Sequence, residues 1–335
     1  MPTILAIESS CDDTSAAVIK DGKICANIVA TQSVHEKYGG VVPELASRAH
    51  EQNIIPVVSQ ALLTANITKS DLNAVAFTRG PGLLGALLVG CSFAKSLALG
   101  LHIPLIEVNH MQAHILAHFI DDPKPTFPFL CLTVSGGHTQ IVLVKDYLQM
   151  EILGQTSDDA VGEAFDKSAK LLGLPYPGGP MLDKLAQTGN PDKYSFPIVN
   201  MPGYDFSFSG IKTAILNFIK NNTTQNPDFI SQNLSDICAS IQQALVLTLM
   251  KKLVLAAQET GIKEIAIAGG VSANSGLRRT IQEYAKIYSW NTYIPAFEYC
   301  TDNAAMVAMN AHYKFLAGEF SNQYASPDPR LKMSY

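Results

Sequence analysis

Two histidines four residues apart, His110 and His114, stand in the run Val108-Asn109-His110-Met111-Gln112-Ala113-His114. Asn109 is a residue type that caps helices, so the run reads as a first helical turn whose two imidazoles leave one face toward the same space. That is the spacing of a metal-ligand pair. Two ligands do not complete a site, and the remote residue with matching chemistry is Asp302, in Cys300-Thr301-Asp302-Asn303 at the start of another predicted helix. Two imidazoles and one carboxylate leave coordination positions open for a substrate. The bland alternative is a pair of half-buried histidines on an amphipathic helix, and the setting of the pair decides against it.

The elements that must position these residues form a repeating pattern. An apolar run from Thr3 to Glu8 breaks at Ser9-Ser10-Cys11-Asp12-Asp13-Thr14 and resumes through Ile19, which predicts a hairpin with a polar turn. The same design recurs after Phe129, with Ser135-Gly136-Gly137-His138-Thr139 as the turn, and a shift of 125 residues lays Leu5 on Leu130, Ser10 on Ser135 and Thr14 on Thr139. A second echo follows in the same order. Ala74 to Thr78 leads through Arg79-Gly80-Pro81-Gly82 into a helix, and Glu264 to Ala268 leads through Gly269-Gly270 into another. Helical spacing is predicted for residues 42–64, 83–100, 160–172, 209–221, 235–260 and 302–316. The expected fold is therefore α/β: two duplicated lobes, each a mixed sheet flanked by helices, around a central cleft. The domain boundaries expected are 1–125 for the lobe with the histidine pair and 126–335 for the second lobe, with a proline- and glycine-rich insertion at about 175–229.

Glycines in the Ser135 to Thr139 turn let backbone N–H groups approach an anion, and Ser135 and Thr139 add hydroxyls. Gly269-Gly270, after a strand and before a helix, suits the base or phosphate of a nucleotide. Composition bounds the rest. The chain has 335 residues, 47% apolar and 16% charged, with a formal charge of −5, which argues against bulk electrostatic capture of nucleic acid. No basic run stands out. No stretch is expected to span a bilayer, the N-terminus lacks a basic leader, and six cysteines without a C-x-x-C read as reduced thiols, so a cytoplasmic protein is expected.

The chain resembles the TsaD/Gcp family of tRNA threonylcarbamoyladenosine synthase subunits, within the superfamily of actin, sugar kinases and heat-shock ATPases. The resemblance rests on Ile7-Glu-Ser-Ser-Cys-Asp-Asp-Thr14, the run from His35 through Gly39-Gly40 to His50, Arg79-Gly-Pro-Gly-Leu83, Asn109-His-Met-Gln-Ala-His114, Val134-Ser-Gly-Gly-His-Thr139, Phe206-Ser-Phe-Ser-Gly-Ile-Lys212, Ala268-Gly-Gly-Val-Ser-Ala-Asn274 and Thr301-Asp-Asn303. Eight motifs in family order cover nearly the whole chain. The resemblance implies an acyltransferase that moves a threonylcarbamoyl group from threonylcarbamoyl-adenylate to N6 of the adenosine 3′ of the anticodon in tRNAs reading ANN codons, releasing AMP. It implies that His110, His114 and Asp302 bind one divalent metal, iron or zinc. It implies further that Thr133, Val134, Ser135, Gly136, Gly137, Asp166, Gly179, Asp183 and Asn274 hold the adenylate or an adenine nucleotide, and that Asp12 sits by the reacting carbonyl. The partners implied are tRNA, a degenerate paralogue of the same fold (TsaB-like), a small P-loop ATPase (TsaE-like) and a YrdC-like enzyme that supplies the adenylate; no membrane is implied.

Such chemistry suits the residues. An adenylate is an activated mixed anhydride, so the protein must mainly position the amine and stabilise charge on carbonyl and phosphate oxygens. A metal-dependent glycoprotein endopeptidase is the first rival, but zincin chemistry needs H-E-x-x-H and here Met111 follows His110. A plain ATPase or sugar kinase of the same fold is the second, and it has no need of the histidine pair. A scaffold paralogue, the third, would tend to lose the metal ligands.

Overall fold

Strands β1 (Thr3–Glu8) and β2 (Thr14–Lys20) pair antiparallel, with Leu5 opposite Val18 and Ile7 opposite Ala16. They belong to a computed structural model that describes residues 2–333, apart from the side chains of Ser33 and Glu36. β3 (Lys23–Ala30) extends the hairpin, while β4 (Ala74–Gly80) and β5 (Leu105–Asn109) join β1 in parallel, giving the order β3-β2-β1-β4-β5. Helix α1 (Pro43–Thr64) starts on a proline, whose missing N–H costs nothing at a first turn. Together with α2 (Leu84–Leu101), α1 covers one face, where Leu5, Ile7, Ala16 and Val18 meet Ile54, Val58, Ala61, Cys91 and Ala94. Side chains alternate along a strand, so the same strands need a second cover. It comes from the far end of the chain: α9 (Ala304–Ala317) packs on β1 and β2, and its Ala304 N–H donates to Ser15 Oγ at 2.8 Å. The short helix α3 (His110–Leu116) follows β5 directly.

The compact unit built this way comprises Met1–Pro125, Lys145–Met150 and Pro295–Tyr335; the other comprises Thr126–Val144 and Glu151–Ile294. The expected second domain of 126–335 is thus too long. Residues from Pro295 onward belong to the first unit, where α9 packs on β1 and β2.

In the second unit β6 (Phe129–Val134), β7 (Thr139–Asp146), β8 (Gln149–Gln155), β9 (Glu264–Ala268) and β10 (Asn291–Tyr293) form the order β10-β9-β6-β7-β8. This is the first sheet's order repeated. Leu130 faces Leu143 as Leu5 faces Val18, displaced by the same 125 residues on both strands, so the duplication seen in the sequence preserves the hairpin register. Helices α4 (Val161–Leu171), α5 (Gly178–Ala186), α6 (Ser209–Gln225), α7 (Phe229–Thr260) and α8 (Ser275–Tyr288) supply the rest of that core. The region 175–229 therefore carries two helices.

Both α2 and α7 are long and apolar enough to cross a membrane by length and composition, against the expectation that no stretch would qualify. α2 matches the helix predicted over residues 83–100, and its Lys95 ammonium donates to the Ala325 carbonyl at 2.9 Å. Most of α7 is buried inside its own unit, and α2 lies on β4 and α1, so both serve as packing elements there.

Candidate active site

Asn109 ends β5 and caps α3: its Oδ1 accepts the Met111 and Gln112 N–H groups at 2.9 and 3.2 Å, and its Nδ2 donates to the Lys332 carbonyl. Every residue of α3 is buried, which fixes both histidine rings. His110 Nε2 and His114 Nε2 lie 3.2 Å apart, and Asp302 Oδ1 stands 3.3 and 3.2 Å from them. Asp302 is held by the turn before α9, where Asn303 caps the helix by accepting the Met306 N–H. The structure brings His110, His114 and Asp302 together, and their three donor atoms make a nearly equilateral triangle.

That triangle fits a metal ion. Ligands at about 2.0–2.1 Å in a tetrahedral arrangement stand roughly 3.3–3.4 Å from one another. The tautomer also fits. Glu8 Oε2 lies 3.1 Å from His110 Nδ1, and a carboxylate can only accept there, so Nδ1 carries a proton and Nε2 is the nitrogen that would face a bound ion. Glu8 itself is fully buried and accepts from Thr78 Oγ1 at 2.7 Å and from the Ser10 N–H at 2.5 Å. Burial opposes the charged form of His110, yet the carboxylates of Asp302 and Glu8 outweigh it and hold the imidazole well above its ordinary pKa. At Asp302 burial works toward the neutral acid and loses to His110, leaving the carboxyl far below its usual range. His114 moves the other way, pushed down by burial. The pattern is one centre that favours positive charge. Glu8 was missed in the sequence, although a lone acid closing an otherwise apolar strand was the signal.

Asp12 sits half-buried in the turn between β1 and β2, in the same unit as the triangle. Its neighbour Asp13 is pushed up to about 7 by burial and by the charges of Asp12 and Asp302.

The remaining predicted residues all lie in the second unit. Thr133 and Val134 have no exposed surface, so they carry the β6–β7 turn without presenting a group to a ligand. Ser135, Gly136 and Gly137 form its accessible part, and a Cβ placed on either glycine would meet open space. Helix α4 has no cap of its own. Instead its Val161 N–H donates to Thr139 Oγ1 and its Gly162 N–H to the Ser135 carbonyl, which locks the turn onto the helix. A Cβ at Gly162 would fall 2.6 Å from the Ser135 carbonyl oxygen, so the contact needs glycine. On the next turn Asp166 Oδ1 accepts the Gly179 N–H at 2.8 Å. Burial raises the Asp166 pKa. Asp183 accepts from Ser275 Oγ at 2.6 Å and from the Ser275 N–H, and Asn274 caps α8 through the Leu277 N–H while donating to Gln242. The structure therefore gathers these residues in two places: Asp166 with Gly179, and Asp183 with Asn274 and Ser275. Gly269, with φ +88°, lies so close to the Val134 carbonyl that a Cβ would stand 2.5 Å from its oxygen, which joins β9 and its glycine turn to the same hairpin.

A family model described as TsaD, tRNA N6-adenosine threonylcarbamoyltransferase, matches residues 23–309. The chain belongs to this family. Among TsaD relatives, a tRNA N6-adenosine threonylcarbamoyltransferase of Cytophaga hutchinsonii is 65% identical over 99% of this chain and 96% of its own. That of Porphyromonas gingivalis is 56% identical over 98% of both. Solved structures share the fold at low identity: HypF of T. kodakarensis, with a TM-score of 0.66 and 15% identity over 95% of this chain and 48% of its own, and component A of the Acidaminococcus fermentans (R)-2-hydroxyglutaryl-CoA dehydratase, with 0.53 and 17% over 94% and 99%. The fold is the actin-like ATPase fold. As a TsaD-family member the chain is a transferase of tRNA threonylcarbamoyladenosine synthesis with tRNA as its substrate, which sets aside the endopeptidase and plain ATPase readings.

Proposed function

We propose that the chain transfers the threonylcarbamoyl group of threonylcarbamoyl-adenylate to N6 of the adenosine just 3′ of the anticodon in tRNAs reading ANN codons. The amine nitrogen bonds to the carbamoyl carbon, the bond from that carbon to the phosphate oxygen breaks, AMP leaves, and the amine gives up one proton. The observation that carries this reading is the triangle of His110 Nε2, His114 Nε2 and Asp302 Oδ1, with sides of 3.2 to 3.3 Å. Those three residues would hold one divalent ion, Fe2+ or Zn2+, whose bound form supplies Lewis-acid polarisation of a substrate oxygen.

The chain's own residues do the rest. Glu8 keeps the His110 proton on Nδ1 and so holds that ring in its working orientation. Asp12 accepts a proton from the attacking amine or orients it. The exposed backbone at Ser135, Gly136 and Gly137 receives the phosphate, supported from below by Thr133 and Val134, while Asp166, Gly179, Asp183 and Asn274 take the ribose and base. Net negative charge on the chain supports a division of labour in which partners supply much of the tRNA-binding surface: a TsaB-like paralogue, with a TsaE-like ATPase and a YrdC-like adenylate source, in the cytoplasm.

Single-turnover transfer from supplied adenylate to unmodified tRNA, run beside metal analysis of the same samples, tests this. His114→Ala and Asp302→Ala should each lose both the metal and the transfer. Full activity in either variant with no metal detected would overturn the assignment.

A further inference from the structure

The run from His35 to His50 in the sequence holds a residue with no part so far. His50 lies on α1, fully buried, with its Nε2 at 3.0 Å from the Cys11 carbonyl oxygen and its Nδ1 at 2.8 Å from Thr14 Oγ1. A carbonyl can only accept, so Nε2 carries a proton and donates it. The Thr14 hydroxyl, equally buried, then donates to the Nδ1 lone pair of the neutral ring. Burial pushes the His50 pKa down, in keeping with that tautomer.

These two bonds grip the polar turn between β1 and β2 on both sides of Asp12. The other side of the turn is held separately: Ser9 Oγ donates to the Ala86 carbonyl at 3.0 Å, and the Ser10 carbonyl accepts the Leu83 N–H at 2.7 Å. The start of α2 thus fixes residues 9 and 10, and α1 fixes residues 11 and 14 through one imidazole. The turn is thus tied to its surroundings at residues 9, 10, 11 and 14.

We infer that His50 is a positioning residue for the transfer reaction, its ring bridging the Cys11 carbonyl and the Thr14 hydroxyl so that the turn presents the Asp12 carboxylate in one geometry. The inference rests on Asp12 being the group that faces the attacking amine. A group that aligns a reacting pair acts on turnover more than on substrate binding, and displacing it by about 1 Å costs on the order of 100-fold.

The test is single-turnover transfer by the full chain with its partner proteins, adenylate and tRNA, comparing Asp12→Asn, His50→Ala, His50→Gln and the double variant Asp12→Asn/His50→Ala. His50→Ala should slow the step by about 10- to 100-fold with the half-saturating tRNA and adenylate concentrations within about twofold of the parent and metal content unchanged. His50→Gln, whose amide can still donate to the Cys11 carbonyl, should regain most of the rate. The double variant should be no slower than Asp12→Asn alone, since His50 acts through that carboxylate. A full rate in His50→Ala beside a slow Asp12→Asn overturns the inference and leaves the role of Asp12 standing. So does an additive double variant, or His50→Gln no faster than His50→Ala. A full rate in Asp12→Asn instead overturns the reading of Asp12 itself. If His50→Ala does not fold, Thr14→Val against Thr14→Ser decides: a slow valine and a normal serine variant support the bridge, and equal rates overturn it.

Discussion

At the scale of single residues, the chemistry turns on which nitrogen of His110 carries its proton. Glu8, Thr78 and Ser10 form a closed set of hydrogen bonds that answers this before any ion arrives. A carboxylate behind a metal-binding imidazole raises its basicity and fixes its plane. Glu8→Gln keeps the shape and an acceptor but removes the charge. We expect its affinity for the metal to fall about 10- to 100-fold with the fold intact. Competition with a chelator followed by circular dichroism checks this, and an unchanged affinity would remove Glu8 from the site. The histidine pair and Asp302 stood out as candidates by residue type and position, and the family resemblance pointed to the same three residues. Glu8 and His50 did not, because their importance lies in what they touch across the fold: Glu8 meets a ring 102 residues away and His50 a carbonyl 39 residues away.

At the scale of elements, helix starts do much of the positioning. His110 and His114 stand on the capped helix α3 and Asp302 just before the capped start of α9, and α4, α5 and α8 have their first N–H groups taken by Thr139, Asp166 and Asn274. Another junction of this kind lies where residues 206–209 enter α6. There Asp158 accepts from Ser207 Oγ at 2.5 Å and from the Phe208 N–H at 2.8 Å. Burial favours its neutral form, but these bonds outweigh it and hold the carboxyl below the usual aspartate range. A folded-state value below the unfolded one means that protonation favours unfolding. Stability from Asp158 is therefore present above the ordinary aspartate range and is lost as the pH falls through the lowered value. Urea unfolding at a series of acidic pH values should show a shallower loss for Asp158→Asn than for the parent. Identical slopes would show that the junction carries no such linkage. Periodicity placed most long helices well, since an amphipathic or buried helix writes its period into the sequence. β3, half-exposed along an edge, and the short α5 in its proline-rich surroundings wrote no comparable signal.

At the scale of the whole molecule, the duplication was legible and the return of the chain was not. Matching turns and a constant shift of 125 residues exposed the two hairpins, and the structure keeps their registers in step. Nothing local says which sheet an apolar helix such as α9 will cover. That choice depends on which face is left open, and it is the first sheet that needs both α9 and Asp302. A fragment of residues 1–125 should therefore fail to fold cooperatively, because one face of β1 and β2 is left without cover and the metal site lacks its carboxylate. Adding residues 295–335 as a separate peptide should restore a cooperative melt. A sharp transition from the short fragment alone would show that α9 is dispensable.

The account stands or falls on one cation shared by two distant stretches of chain. Anomalous diffraction from crystals of the full chain, purified without chelator and under anaerobic conditions, reads this directly. The predicted result is a single anomalous peak at about 2.0–2.2 Å from His110 Nε2, His114 Nε2 and one Asp302 oxygen. Bound metal located elsewhere, or these three side chains turned apart with no peak between them, would contradict it.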